Sequence, residues 1–370
     1  MTTTRTDEAT ATAIATGIAT ATATGTATAT ATGTGTATGI ATDKDAATAT
    51  PTPTLTTPAL DIRQEVKRTI TVRPGMCGPN SLFQGQLGDW TWETVSALCG
   101  TDVFAARDTA GNPTYLAFYY FRVHGSRTLH QGALTFGDRL TVTSGCYDQG
   151  SESVLTLHRL DRTGTPGADR PLDLAEFYAQ PREGSLYVEN FNRWVTRSTP
   201  GSNQDLVKAS PPDFRHEGLP ALPVRYSPRA VYRRARSEHT FRDRTDRGYR
   251  PLPGIGLVEH PVDLTRDVNG VGLLYFASYF ALADKAALAL WRQRDRSDAA
   301  FLRRTVLDQK ICYLGNADLD SVLVLSATSR VSTTDPGDEL TDVVIRDRGT
   351  QRVIAVSTLH TVHDPEGEAA

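Results

Sequence analysis

Residues 271–294, VGLLYFASYFALADKAALALWRQR, place apolar side chains on nearly every side of a helical wheel. A helix made from them has to be wrapped on most sides rather than laid on a surface. Four long period-2 stretches follow it, at 305–315, 319–332, 338–349 and 351–363, with a shorter one ahead at 255–264. Such alternation predicts strands that turn one face to a core and the other away. A sheet curled around the helix satisfies both patterns together.

The earlier part of the chain repeats that order. RTITVRP (68–74) reads as a strand, and GDWTWETVSALCG (88–100) reads as a helix with Asp89 at its N-cap and Gly100 as its stop. Strands are then expected at 114–123, 137–150, 151–162 and 185–197. One helix with four or five antiparallel strands therefore occurs twice. The expected fold is α+β, a double hot dog with two antiparallel sheets, each around a central helix. Set side by side, the halves can extend one another's sheet and hide an edge.

Residues 1–57 are almost all Thr and Ala with scattered Gly and no aromatic residue. They have nothing to bury, so a disordered tail is expected there. The remaining division is a first hot-dog domain over 58–210, a connector over 211–250 and a second domain over 251–370. A formal charge of −3 favours neither nucleic acid nor a membrane surface as partner. No uninterrupted apolar run approaches the ~18 residues of a spanning helix. Cys77, Cys99, Cys146 and Cys312 show no CxxC spacing and no histidine cluster, which argues against zinc or a disulfide framework and for the cytoplasm. GxSxG, GxGxxG and GxxxxGK[ST] motifs are absent from the sequence, which disfavours serine hydrolases, Rossmann dehydrogenases and P-loop enzymes.

Three places could carry chemistry. The stretch GNPTYLAFYYFRVH (111–124) puts Tyr115, Tyr119 and Tyr120 on one strand, and each buried phenol needs a polar partner. Tyr115, at the strand's start, can reach a cleft, and nearby donors or positive charge would make it a nucleophile. Asp267-Val268-Asn269-Gly270-Val271-Gly272, before the second helix, offers backbone amides and a helix N-terminus to an oxyanion, although Asn-Gly is equally a turn signal. Residues 225–250 carry nine arginines against three acids, either as a solvated linker or as a landing surface for phosphates or an acidic protein. Cys77 has no neighbouring histidine, and His124 and His130 are weaker candidates for general bases.

Residues 74–130, PGMCGPNSLFQGQLGDWTWETVSALCGTDVFAARDTAGNPTYLAFYYFRVHGSRTLH, with DVNGVGLLYFASYF (267–280), resemble the bifunctional acyltransferase/decarboxylases of leinamycin-type polyketide biosynthesis, the LnmK type. The resemblance implies an enzyme that takes methylmalonyl-CoA, becomes acylated on a tyrosine, loses CO₂ and delivers propionate to the phosphopantetheine thiol of an acyl carrier protein. It implies a nucleophilic tyrosine near the start of this strand, Tyr115 by its NPTY context with Tyr119 or Tyr120 as the alternative; the glycine-rich turn would offer the amides of Asn269, Gly270 and Val271 to the enolate or oxyanion. Thr114, Asn80, Asp267, Gly272, Arg233, Arg234 and Arg236 are expected at the substrate. No metal or organic cofactor is called for, and a homodimer is compatible. A thioesterase using Asp267, a dehydratase using His130 and a non-catalytic carrier-protein or acyl-binding module are the competing expectations.

Overall fold

Both strand groups join one continuous antiparallel sheet in the computed structural model, which describes residues 65–78, 82–242 and 247–363. The first half contributes β1 (Glu65–Thr71), helix α1 (Leu82–Cys99), β2 (Tyr115–His124), β3 (Arg139–Asp148), β4 (Ser153–Arg162), short helix α2 (Leu174–Tyr178), β5 (Ser185–Arg197) and β6 (Leu206–Lys208). Helix α3 (Pro228–Glu238) and β7 (Tyr249–Pro251) follow. The second half supplies β8 (Gly256–Pro261), helices α4 (Ser278–Gln293) and α5 (Asp298–Arg303), then β9 (Thr305–Tyr313), β10 (Val322–Ser332), β11 (Asp338–Asp347) and β12 (Val353–Val362).

The spatial order is β1-β3-β4-β5-β2-β9-β12-β11-β10, with β7 and β8 pairing β10 and β6 pairing β5. Each half thus has the same internal pairing, β8 standing where β1 stands and α4 where α1 does. The two expected sheets are one, because β2 and β9 zip together from Tyr120↔Cys312 to His124↔Asp308. A terminal strand of each half loses its open edge this way.

The helices α1 and α4 share one face and one core, built from Leu87, Phe121, Leu140, Leu160, Phe276, Tyr279, Ala283 and Ile345 among others. Gly88 of α1 faces the Phe276 ring so closely that a Cβ there would lie 2.1 Å from the ring carbon Cζ. The opposite face is covered by α2 and α3, over Tyr120, Phe177, Tyr187, Phe191, Ala235 and Cys312. Across the seam, Arg122 donates two hydrogen bonds to Asp308 (3.0 and 2.9 Å), and Lys310 approaches the same carboxylate at 3.3 Å.

Local readings need correction in two places. α1 begins at Leu82, so Asp89 lies inside the helix and caps nothing, whereas Gly100, at φ +67°, does end it. α4 begins at Ser278, since residues 271–277 form turns. The arginine-rich connector holds the packed helix α3. The Thr/Ala tail lies outside the described residues. Among the described residues no helix is long and apolar enough to cross a membrane.

Gly88→Ala should destabilise the fold despite its gain in helix propensity. That gain is about 1 kcal/mol, while overpacking costs about 1–3 kcal/mol. A lower urea midpoint is therefore expected; a higher one would refute the tight contact with Phe276. Burial alone would raise the pKa of Asp308, but Arg122 and Lys310 more than reverse this and hold its carboxyl well below the usual range. The pair therefore stabilises the protein above pH ~4 and stops doing so as pH falls below it. Arg122 and Asp308 remain 21% and 18% exposed, so Arg122→Met should cost about 3 kcal/mol, the lower end for a broken buried pair. The variant should also show a flatter acid-side stability profile in denaturant titrations.

Candidate active site

The ladder between β2 and β9 starts only at Tyr120. Upstream, Tyr115–Phe118 pair with β5 alone, and the β2–β5 register shifts between Phe118 and Tyr120 to leave Tyr119 as an extra, bulged residue. Past Tyr313, β9 gives way to irregular chain, where Leu314 and Gly315 donate to Ile354 O. The two strands therefore fork. A cavity of about 880 Å³ fills the fork, bounded by β2, the 268–276 turns, α1 through Asp89 and Trp92, and α3 through Tyr232 and Arg236.

Tyr115 stands at the open end of the fork. An Asx turn at Asp108, whose carboxylate accepts from the Ala110 and Asn112 amides (2.9 and 2.8 Å), delivers the chain into β2. Thr114 fastens that entry, donating its hydroxyl to Val195 O (3.1 Å) and Ala209 O. The Thr114 hydroxyl is thus committed to backbone and positions its neighbour. Arg197 approaches the Tyr115 oxygen with Nη1 at 3.4 Å, and its guanidinium lies 5.8 Å from the ring centre. The same guanidinium donates to Val271 O (2.6 Å) and to Asn203 Oδ1 (3.1 Å), and Asn203 in turn donates to Gly272 O (2.7 Å). A cation with no acidic partner among the described residues thus ties the tyrosine to the turn at 269–272.

That turn closes largely on itself. Asn269 Oδ1 accepts from the Val271 and Leu273 amides (3.2 and 3.0 Å), the Asn269 amide donates to Leu273 O (2.9 Å), and Gly272 takes φ +76°. Two of the three amides expected to bind an oxyanion, those of Asn269 and Val271, are therefore used inside the turn. The Gly270 amide and the Asn269 carboxamide NH₂ have no partner among the described residues, and both residues line the cavity. No helix N-terminus reinforces them, because α4 starts eight residues beyond Gly270.

Asp267 does not reach the cavity wall. Its Oδ2 accepts from the Asp263 amide (2.9 Å) and meets His260 Nε2 at 2.6 Å, so it braces the turn from behind. Gly272 contributes backbone geometry. Arg233 and Arg234 are exposed and off the cavity, whereas Arg236 lines it. Asn80 lies outside the described residues. Tyr119 is on the wall, its phenol raised by burial with Arg193 pulling the other way. Tyr120 faces the α3 side, and burial, then Glu189, pushes its phenol well up. His124 is buried against Tyr187 and is held neutral, to about pKa 3, by burial and then Arg122. Cys77 packs at the edge of the core, and neither it nor His130 lines the cavity.

Sequence reasoning missed Arg197, Asp89 and Arg193. Arg197 ends a strand and carries no local signal. Asp89 was misplaced at a helix cap, yet it is the acid on the cavity wall, its carboxyl raised by burial and by Glu93. The alternation of β5 marks Arg193 as outward-facing, but only the fold shows what it faces.

Residues 67–243 match the family described as LnmK N-terminal Hot Dog Fold domain. No curated protein sequence matches the chain. Among solved structures, the 12:0-ACP thioesterase from Umbellularia californica superposes with a TM-score of 0.54 at 12% identity, covering 81% of this chain and 95% of that one. An assigned oleoyl thioesterase from Lactobacillus plantarum gives 0.53 at 9% identity, covering 81% and 96%. At such identities these likenesses speak for the fold alone. The segment 67–243 is an LnmK-type hot-dog domain, the first half of a double hot-dog chain.

Proposed function

We propose that the protein is an acyltransferase/decarboxylase that converts methylmalonyl-CoA to a propionyl group on the phosphopantetheine thiol of an acyl carrier protein. The observation that carries this reading is the Tyr115–Arg197–turn arrangement at the mouth of the strand fork. The Tyr115 oxygen attacks the thioester carbonyl, the C–S bond breaks, and the CoA thiol leaves with the phenolic proton. Negative charge on the tetrahedral oxygen falls to the Gly270 amide and the Asn269 carboxamide. Arg197 faces whatever charge collects on the tyrosine oxygen, and its long 3.4 Å contact shortens as that charge develops.

Loss of CO₂ breaks the bond between the α-carbon and the carboxylate, and its electron pair passes into the enolate. The enolate takes a proton at the α-carbon. Asp89, whose carboxyl is raised by burial, is the group on the wall suited to give it. The carrier thiol then attacks the tyrosyl ester, the C–O bond to Tyr115 breaks, and the phenol regains its proton. Asp89 regains its proton from solvent, so side chains, the two thiols and one solvent proton balance the cycle.

A second reading has one observation in its favour. A water activated by Asp89 could hydrolyse the thioester directly, which would make the protein a thioesterase without Asp267.

Intact-mass analysis after mixing with methylmalonyl-CoA separates the two. A propionyl or methylmalonyl adduct that maps to Tyr115 and moves to an acyl carrier protein is expected. Tyr115→Phe should abolish the adduct and lower turnover by at least ~10³-fold. Arg197→Met should lower kcat by about 10²- to 10³-fold, as for loss of one preorganised donor. If Tyr115→Phe still releases free acid while Asp89→Asn does not, the thioesterase reading replaces the transferase.

A further inference from the structure

The cavity's far end carries a second cluster that the acyl chemistry leaves unused. Arg193 of β5 projects to the α3 side, its guanidinium 5.0 Å from the ring centre of Tyr119 and 5.4 Å from that of Phe191. Its Nε is buried and makes no hydrogen bond to the protein. Stacking of this kind fixes a guanidinium while leaving its N–H groups free for a ligand. Arg229 lies over the same Phe191 ring at 5.6 Å, and Arg236 lines the cavity beside Tyr232.

None of these three arginines has an ion-pair partner among the described residues. The nearby acids are taken: Glu152 by Lys208 at 2.5 Å and Asp148 by His216 at 2.9 Å. Elsewhere the protein pairs its interior arginines, as in Arg159 with Asp161 (2.9 Å) and Arg304 with Asp284 (2.6 Å). Arg229 and Arg236 are exposed and carry no such cost, but Arg193 is half-buried, and an anion would complete the site of its unpartnered Nε.

We infer that Arg193, with Arg236 beside it, reads the phosphate of a phosphopantetheine arm that enters the cavity from the α3 side. This rests on the pantetheine-thioester reading of the cavity but not on the chemistry at Tyr115. Distance selects phosphate over the acyl group's own carboxylate. Arg193 and Arg197 stand four residues apart on β5, about 13 Å of strand, and their guanidinium groups meet different rings, Tyr119 and Tyr115. The carboxylate of a malonyl-type thioester is only two bonds from the carbonyl that Tyr115 would attack. A pantetheine arm has the length to bridge the two places. Coenzyme A and a carrier protein both present this phosphate, so one site would serve donor and acceptor in turn.

Calorimetric titration with unacylated thiols tests the site without acyl transfer. The wild-type chain should bind 4′-phosphopantetheine about 10- to 100-fold more tightly than pantetheine, as for a charge-assisted contact. Arg193→Met should erase that preference and Arg193→Lys should keep part of it. Should Arg193→Met fail to fold, Arg236→Gln, at an exposed position, reads the same preference; a partial loss supports the site and full retention overturns it. Preference that survives Arg193→Met overturns the proposal. So does a wild-type chain that favours CoA over pantetheine without favouring phosphopantetheine, since the adenosine phosphates would then be what is read. An effect of Arg193→Met confined to malonyl- against acetyl-pantetheine would reassign the site to the substrate carboxylate. Loss of phosphate preference with acylation intact supports the subsite, and failure of acylation with the preference intact sinks only the transferase.

Discussion

The antiparallel ladder between β2 and β9 stops at Tyr120 and Cys312, and the candidate site follows from where it stops. A sheet closed along its full seam would separate the α1/α4 face from the α3 face. The bulge at Tyr119 and the early departure of the chain after Tyr313 open the seam instead. Backbone left unpaired there borders a cavity and not solvent-free core, so its polar groups stay available to a ligand. At the other end the seam runs on: His124 pairs Asp308, and the Gly125 amide donates to Leu307 O (2.8 Å). A Cβ on Gly125 would fall 2.2 Å from Leu129 O, which shows how closely that end is packed. The duplication thus sets up two related positions, and the structure opens one into a large cavity.

Charge is distributed along the same division. On the closed part of the seam, Arg122 of β2 and Lys310 of β9 both meet the Asp308 carboxylate. Around the cavity, Arg193, Arg197 and Arg236 have no acidic partner among the described residues, and each sits beside an aromatic ring or a carbonyl. Paired charges hold the halves together, while the unpaired ones border the cavity. The acyl thioester proposed above, with a phosphate at its far end, would answer both positions, the carbonyl at Tyr115 and the anion at Arg193.

Much of the architecture was legible because strand alternation depends only on which face is buried. The strand 185–197 falls at its expected bounds, and those at 305–313 and 338–347 differ only at their ends. Helix starts were less legible. Nothing in LFQGQLGD marks Leu82 as helical, since two glycines interrupt it, and only Phe276 packed against Gly88 explains why a glycine sits there. VGLLYF looked like the first turn of a buried helix, but the Asn269 side chain captures the Val271 and Leu273 amides and delays the helix to Ser278. In the site, Tyr115 and the Asn-Gly turn were visible as motifs. Their partners were not, because Arg197 and Asp89 come from other elements and carry no periodic signature.

By itself the sequence determined a duplicated helix-and-strand order, the faces that each strand buries, and a small set of polar residues at strand and turn starts. Those are properties of neighbours in the chain. Only the tertiary structure decided that the two sheets become one, that the seam forks at Tyr120, that Asp267 turns away to His260, and that Arg197 rather than a helix N-terminus stands over Tyr115. Each of these depends on contacts between residues tens to hundreds of positions apart or on local hydrogen bonds that competed with the expected helix, and pattern along a chain does not encode which competitor wins.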